Sequence, residues 1–150
     1  MCGIFVSYGK ISERDLKFYL KKITLRGKDT FGVTLINSQN PQTFYYSYNN
    51  IDYKECISSL NQNIKSLIFA NSRLITNGSN EHNTQPLINK EMCLVHNGII
   101  LDFTDLNHDS IELNNFNKSD SRILFDEISK HINDENFVNK IEKYLNSLLG

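Results

Sequence analysis

Cys2 directly follows the initiator methionine. Aminopeptidases remove Met1 when the next side chain is small, and the new first residue then carries both a thiol and a free α-amine. An α-amine titrates near ~8, so it can act as general base for its own thiol near neutral pH. Taken alone, Cys2 reads first as a small residue beside a buried strand. Three other clusters bear on the choice. Arg26-Gly27-Lys28-Asp29-Thr30-Phe31-Gly32 is a tight loop entering a strand, by itself a turn with a surface ion pair. Asn71-Ser72-Arg73-Leu74-Ile75-Thr76-Asn77-Gly78 sets an arginine just after a strand, where a guanidinium is either solvated or forked onto a carboxylate ligand. His96-Asn97-Gly98 is first a turn, but an Asn amide beside a Gly N–H can also hold an oxyanion.

The elements that must position these residues follow from periodicity. Ile4 to Tyr8 reads as a buried strand. Ser12 is a helix N-cap, with Glu13 and Asp15 in the first turn and Leu16, Tyr19, Leu20 and Ile23 at helical spacing. Phe31 to Ile36 and Thr43 to Tyr48 are strands, joined by a turn over Asn37 to Pro41. Ile57, Leu60 and Ile64 mark a second helix, and Ser66 to Ala70 a strand. Asn71 to Asn89 reads as a long polar loop, a length uncommon in compact domains unless functional. Met92 to His96 is a strand ending in the Asn97-Gly98 turn. Ile123, Leu124, Ile128 and Ile132 form a helical stripe capped by Ser119 or Asp120, and Phe137 to Leu148 the last helix. Strands and helices mixed in this order predict an α+β fold of packed layers.

Together the clusters resemble class II glutamine amidotransferase domains, which are N-terminal-nucleophile hydrolases. The resemblance rests on Met1-Cys2-Gly3-Ile4, Arg26-Gly27-x-Asp29-x-x-Gly32, Ser72-Arg73-x-x-Thr76-x-Gly78, Val95-His96-Asn97-Gly98-Ile99-Ile100 and Ser119-Asp120-Ser121. These blocks keep the family's order and spacing from Met1 to about His131, and His-Asn-Gly-Ile-Ile is most like the glutaminase domains of glucosamine-6-phosphate synthases. The resemblance implies a four-layer α/β/β/α sandwich in which Cys2 attacks the glutamine carboxamide and Asn97 and Gly98 hold the oxyanion. It also implies that Arg73 pairs with the substrate α-carboxylate and Asp120 with its α-ammonium. Thr76 adds a hydroxyl or backbone contact, and Arg26 and Asp29 brace the nucleophile loop. The implied ligand is L-glutamine, and the ammonia passes to an acceptor synthase domain or subunit, such as a phosphosugar-aminating site. No metal or cofactor is called for.

Two departures stand out. Asn77 occupies a position where the synthases often have His. Family domains also continue for several more strands, so residues 1–150 are expected to be one glutaminase-type unit, either part of a longer domain or a compact variant needing a partner. The missing strands would leave a sheet edge and an apolar face exposed.

Composition narrows the alternatives. Lys plus Arg number 16 and Asp plus Glu 17, a net charge of −1 with no basic run, so nothing attracts nucleic acid. No stretch approaches the ~20 apolar residues of a bilayer span, and no signal peptide is visible, which predicts a cytoplasmic protein. Cys56 and Cys93 read as small buried hydrophobes. His82, His108 and His131 lack metal-ligand spacing, and His96 reads as a packing residue. Tyr45, Tyr46 and Tyr48 read as half-buried strand. Two rival functions stay open. One is an N-terminal-nucleophile amidohydrolase on another amide, against which Arg73 with Asp120 argues, since that pair matches the two charges of an amino acid. The other is an inactive interaction module, against which Cys2, Asn97 and Gly98 argue.

Overall fold

The computed structural model describes residues 2–37, 40–59, 65–75, 81–100 and 118–148. It is a mixed α+β chain whose strand pairings are all antiparallel. Strand β1 (Gly3–Gly9) leads into helix α1 (Glu13–Thr24). Strands β2 (Thr30–Asn37) and β3 (Asn40–Ser47) form a hairpin, followed by the short helix α2 (Tyr53–Ser58) and strand β4 (Ser66–Arg73). A two-residue ladder, β5 (Leu87–Ile88) with β6 (Cys93–Leu94), precedes helices α3 (Asp120–His131) and α4 (Phe137–Leu148). The four-stranded sheet has the order β1-β4-β2-β3, so β4 is paired on both sides.

Helix α1 forms where the spacing predicts. The Ser12 hydroxyl accepts from the Asp15 amide at 3.1 Å, and Lys21 and Lys22 lie in the last turn, where cations favour the helix dipole. Leu16, Leu20 and Ile23 are buried on one face of the sheet with Phe31, Val33, Leu35, Ile68 and Ala70. Each of these side chains other than Ala70 contributes about 1.5–3 kcal/mol. Tyr19 departs from the predicted stripe: it lies at the margin, half exposed, and stacks on Phe5 at 5.2 Å.

Alternation sends Thr30, Gly32 and Thr34 of β2, and Asn71 and Arg73 of β4, to the opposite face. Over β2 and β3 that face is covered by the segment before β5. A Cβ on Gly32 would fall 2.0 Å from the Gln85 carbonyl oxygen, and the Tyr45 hydroxyl donates to the Pro86 carbonyl at 2.5 Å. Thr34 hydrogen-bonds Cys93. Helix α3 holds this segment from Ser121 and Ser129, which bond Gln85 and Asn89, and α4 packs beside α3. At the β1 edge the same face is open, with Ile4, Val6 and Tyr8 37%, 50% and 75% exposed. Among the described residues no helix is long and apolar enough to cross a membrane.

Several expectations are corrected. Asn71 to Arg73 belong to β4 and not to a loop, because both β1 and β2 pair with them. The strand expected over Met92 to His96 shortens to Cys93–Leu94, because its partner β5 has only two residues. The second helix starts earlier, at Tyr53, where the Asp52 carboxylate accepts from the Lys54 and Glu55 amides. Leu60 and Ile64 lie outside the described residues. Strand β3 ends at Ser47, and Tyr48–Asn50 form a 3-10 turn.

Gly32→Ala should destabilise the fold by roughly 1–3 kcal/mol, because the new methyl meets backbone rather than a movable side chain. A thermal melt reads this, and an unchanged Tm would contradict the close packing of residue 85 on β2.

Candidate functional site

The candidate site sits where β4 ends. Gly3 pairs with Ser72, so Cys2 lies one residue beyond that pair, and Thr30 pairs with Arg73 from the other side. Backbones converge here because two residues lack side chains. A Cβ on Gly3 would lie 2.4 Å from the Ile23 carbonyl oxygen, and one on Gly27 2.4 Å from that of Ser72. The Ser72 hydroxyl donates to the Ile23 carbonyl, tying the end of α1 to β4.

Asp29 fastens the following loop. Its amide donates to the Arg73 carbonyl at 3.0 Å, and its carboxylate accepts from the Ile75 amide at 2.6 Å. Its own carbonyl accepts from the Tyr48 amide at 3.1 Å. Asp29 thus joins the ends of β3 and β4. Arg26 is exposed, and its amide donates to the Ile23 carbonyl at 3.0 Å as α1 closes.

Arg73 is only 4% exposed. Burial pulls its guanidinium below the usual arginine value, and Cys2, Asp120 and Asp29 act the other way by charge. All three groups therefore lie within electrostatic reach of one buried cation. Asp120 is itself buried, at the first position of α3, where the helix dipole favours a carboxylate. It accepts from the Ser121 amide at 2.7 Å and the Ile100 amide at 3.2 Å. The adjoining Ser119 caps the helix and donates its own amide to the Asn83 side-chain oxygen at 2.9 Å.

The Ile100 bond brings the Asn97–Ile100 segment to Asp120. Asn97 and Gly98 are exposed, and side chains rather than a strand ladder hold their segment. The His96 amide donates to the Gln85 side chain at 2.6 Å, and the His96 ring Nδ1 lies 2.9 Å from the Ser121 hydroxyl. The ring stands over Gly98, where a Cβ would come within 2.9 Å of Nε2. Gln85 completes the cluster by donating to Ser121 at 3.0 Å. Thr76, and with it Asn77 and Gly78, lies outside the described residues. Asn83, Gln85 and Ser121 received no role from the sequence. Asn83 and Gln85 lie in the long polar segment before a proline, and Ser121 in the Ser119-Asp120-Ser121 block, with no role attached to any of them.

The other thiols have different surroundings. Burial pushes the Cys56 thiol up, and pushes Cys93 up to about 11. Among the described residues no three His, Cys, Asp or Glu gather as a metal-ligand set.

The chain is 31% identical over 114 residues to the glutamine-fructose-6-phosphate aminotransferase (isomerizing) of Buchnera aphidicola subsp. Acyrthosiphon pisum, a match covering 67% of this chain and 17% of that protein. It therefore spans less than a fifth of that relative's length. No family model matches the chain. No solved structure matches it.

Alkylation of the folded protein at pH 7 should modify Cys2 first. Cys56 is fully buried, and a thiol at about 11 is ionised to only about one part in 10⁴ at that pH. Peptide mass mapping checks the order, and equal labelling of all three thiols would contradict it.

Proposed function

We propose that residues 1–150 form a glutamine-hydrolysing unit of the class II amidotransferase type, built on the N-terminal-nucleophile α/β/β/α sandwich. The observation that supports it most is the buried Arg73 with Cys2 and Asp120 both within its electrostatic reach. Free glutamine carries one charge of each sign, so a guanidinium with a carboxylate and a thiol both in its reach suits it. The distant similarity to an aminotransferase named for glutamine supports the same substrate.

In this reading the Cys2 thiol attacks the side-chain carbonyl of glutamine and its proton passes to the Cys2 α-amine. The Asn97 amide and the Gly98 N–H donate to the oxyanion. Collapse of the tetrahedral adduct breaks the C–N bond, and ammonia leaves with the proton held by the amine. A thioester remains, and water converts it to glutamate and free thiol. Arg73 holds the α-carboxylate, Asp120 the α-ammonium, and Thr76 adds a contact. Asp29 and Arg26 keep the loop against β4. The ammonia passes to a synthase domain or subunit, of which a phosphosugar-aminating site is the candidate that the relative's name supports.

Cys2→Ala should abolish glutamate release while Cys56→Ala and Cys93→Ala retain it, and full activity in Cys2→Ala would falsify the mechanism. Arg73→Ala should raise KM for glutamine, since loss of a buried charged partner costs about 2–5 kcal/mol. Asn97→Ala should lower kcat by roughly 10²–10³ with a smaller change in KM. Steady-state kinetics separate the two, and an Asn97→Ala enzyme with normal turnover places the oxyanion donor elsewhere.

A further inference from the structure

Among the described residues, four buried side-chain atoms have no hydrogen-bond partner: Thr30 Oγ1, both polar atoms of Asn71, and the Tyr144 hydroxyl. Three of the four share one small area. Asn71 is 1% exposed and lies on the sheet face away from α1, since its neighbour Ala70 is in the α1 core. Its cross-strand partners are Ile4 and Gly32, which offer no side-chain donor or acceptor. Arg73 follows two residues later on the same face, about 7 Å along the strand. Thr30 stands opposite Arg73. Thr30 and Asn71 are thus diagonal neighbours across β2 and β4, a spacing of about 7–8 Å between Cα atoms. Cys2 sits at the matching position beyond the Gly3–Ser72 pair on the other side.

A buried carboxamide with neither end satisfied is unfavourable, and a leucine of similar size would fill the space without that penalty. Packing therefore gives no reason for Asn71, whereas a bound polar molecule does. The proposed glutaminase reaction, on which this inference rests, leaves one reactant without a holder. Arg73 and Asp120 match the charges of the amino acid, and Asn97 with Gly98 matches the carbonyl oxygen. The water that cleaves the thioester remains. A water needs two or more polar partners, and a carboxamide with a hydroxyl offers both donors and acceptors.

We infer that Asn71, together with the Thr30 hydroxyl, holds the hydrolytic water beside the acylated Cys2. The water oxygen bonds to the thioester carbonyl carbon and gives one proton to the Cys2 α-amine. The C–S bond then breaks, and the thiolate takes that proton back. Glutamate leaves and the free thiol returns, so no other reactant is used. Asn71 is a positioning residue, required for the second half-reaction and not for the first.

The test is single-turnover kinetics with glutamine on Asn71→Leu, following ammonia, glutamate and the intact mass of the protein. Ammonia should appear in a burst at the wild-type rate. Glutamate release should slow by about 10²-fold, typical of a misplaced reactant, and the γ-glutamyl thioester should accumulate. Tm should hold or rise, because an unsatisfied polar group has been removed. Asn71→Ser should recover part of the deacylation rate, and Thr30→Val should slow the same step even if Asn71→Leu does not fold. Wild-type deacylation in Asn71→Leu, or a burst slowed as much as glutamate release, overturns the inference while leaving the glutaminase proposal intact. A wild-type protein that never acylates on Cys2 overturns both.

Discussion

A guanidinium taken out of water requires compensating charge, and Arg73 imposes that requirement at the end of the central strand. Much of the surrounding architecture meets it. Asp29 reaches from the β2 approach to bind the Arg73 carbonyl and the Ile75 amide just beyond it. The N-terminus of α3 brings Asp120, with its dipole favouring the carboxylate there. The β1–β4 register brings Cys2 alongside. Were Arg73 apolar, two carboxylates would be drawn toward one region with nothing between them to offset their repulsion. The cation is therefore the reason that two acidic side chains can lie within reach of the same buried position.

Hydrogen bonding extends the same arrangement outward. Asp120 accepts from Ile100, Ser121 meets both Gln85 and His96, and Asn83 accepts from Ser119. Each bond joins the start of α3 to a residue outside the strands. The residues from Asn83 to Ile100 are thus held largely by side chains, with only the two-residue β5–β6 ladder among them. This is how a chain segment with few apolar residues stays against the sheet.

Legibility in the sequence followed the physical source of each feature. Helix α1 and the strands β1 and β2 could be read because burial on one or both faces imposes a period on Leu16, Leu20 and Ile23 and an apolar run on residues 31–36. Two-residue strands have no period, so β5 went unseen and β6 was overextended. The end of β4 was misread because Asn71, Ser72 and Arg73 are polar, and only pairing on both sides makes them strand. The candidate residues stood out through motif resemblance, whereas the neighbours of Arg73 depend on long-range register. Asn71 and Gln85 received no role from the sequence, because being satisfied or orphaned is a property of the three-dimensional surroundings.

The pairing of Gly3 with Ser72 carries a temporal consequence. Strand β1, which directly follows Cys2, leaves the ribosome before β4, and β4, which completes its surroundings, emerges much later. Contacts so distant in sequence close slowly, since loop entropy opposes them until the intervening elements have formed. Cys2 is made early and its surroundings are assembled late. For that interval Cys2 is an ordinary cysteine, not yet within reach of the buried Arg73.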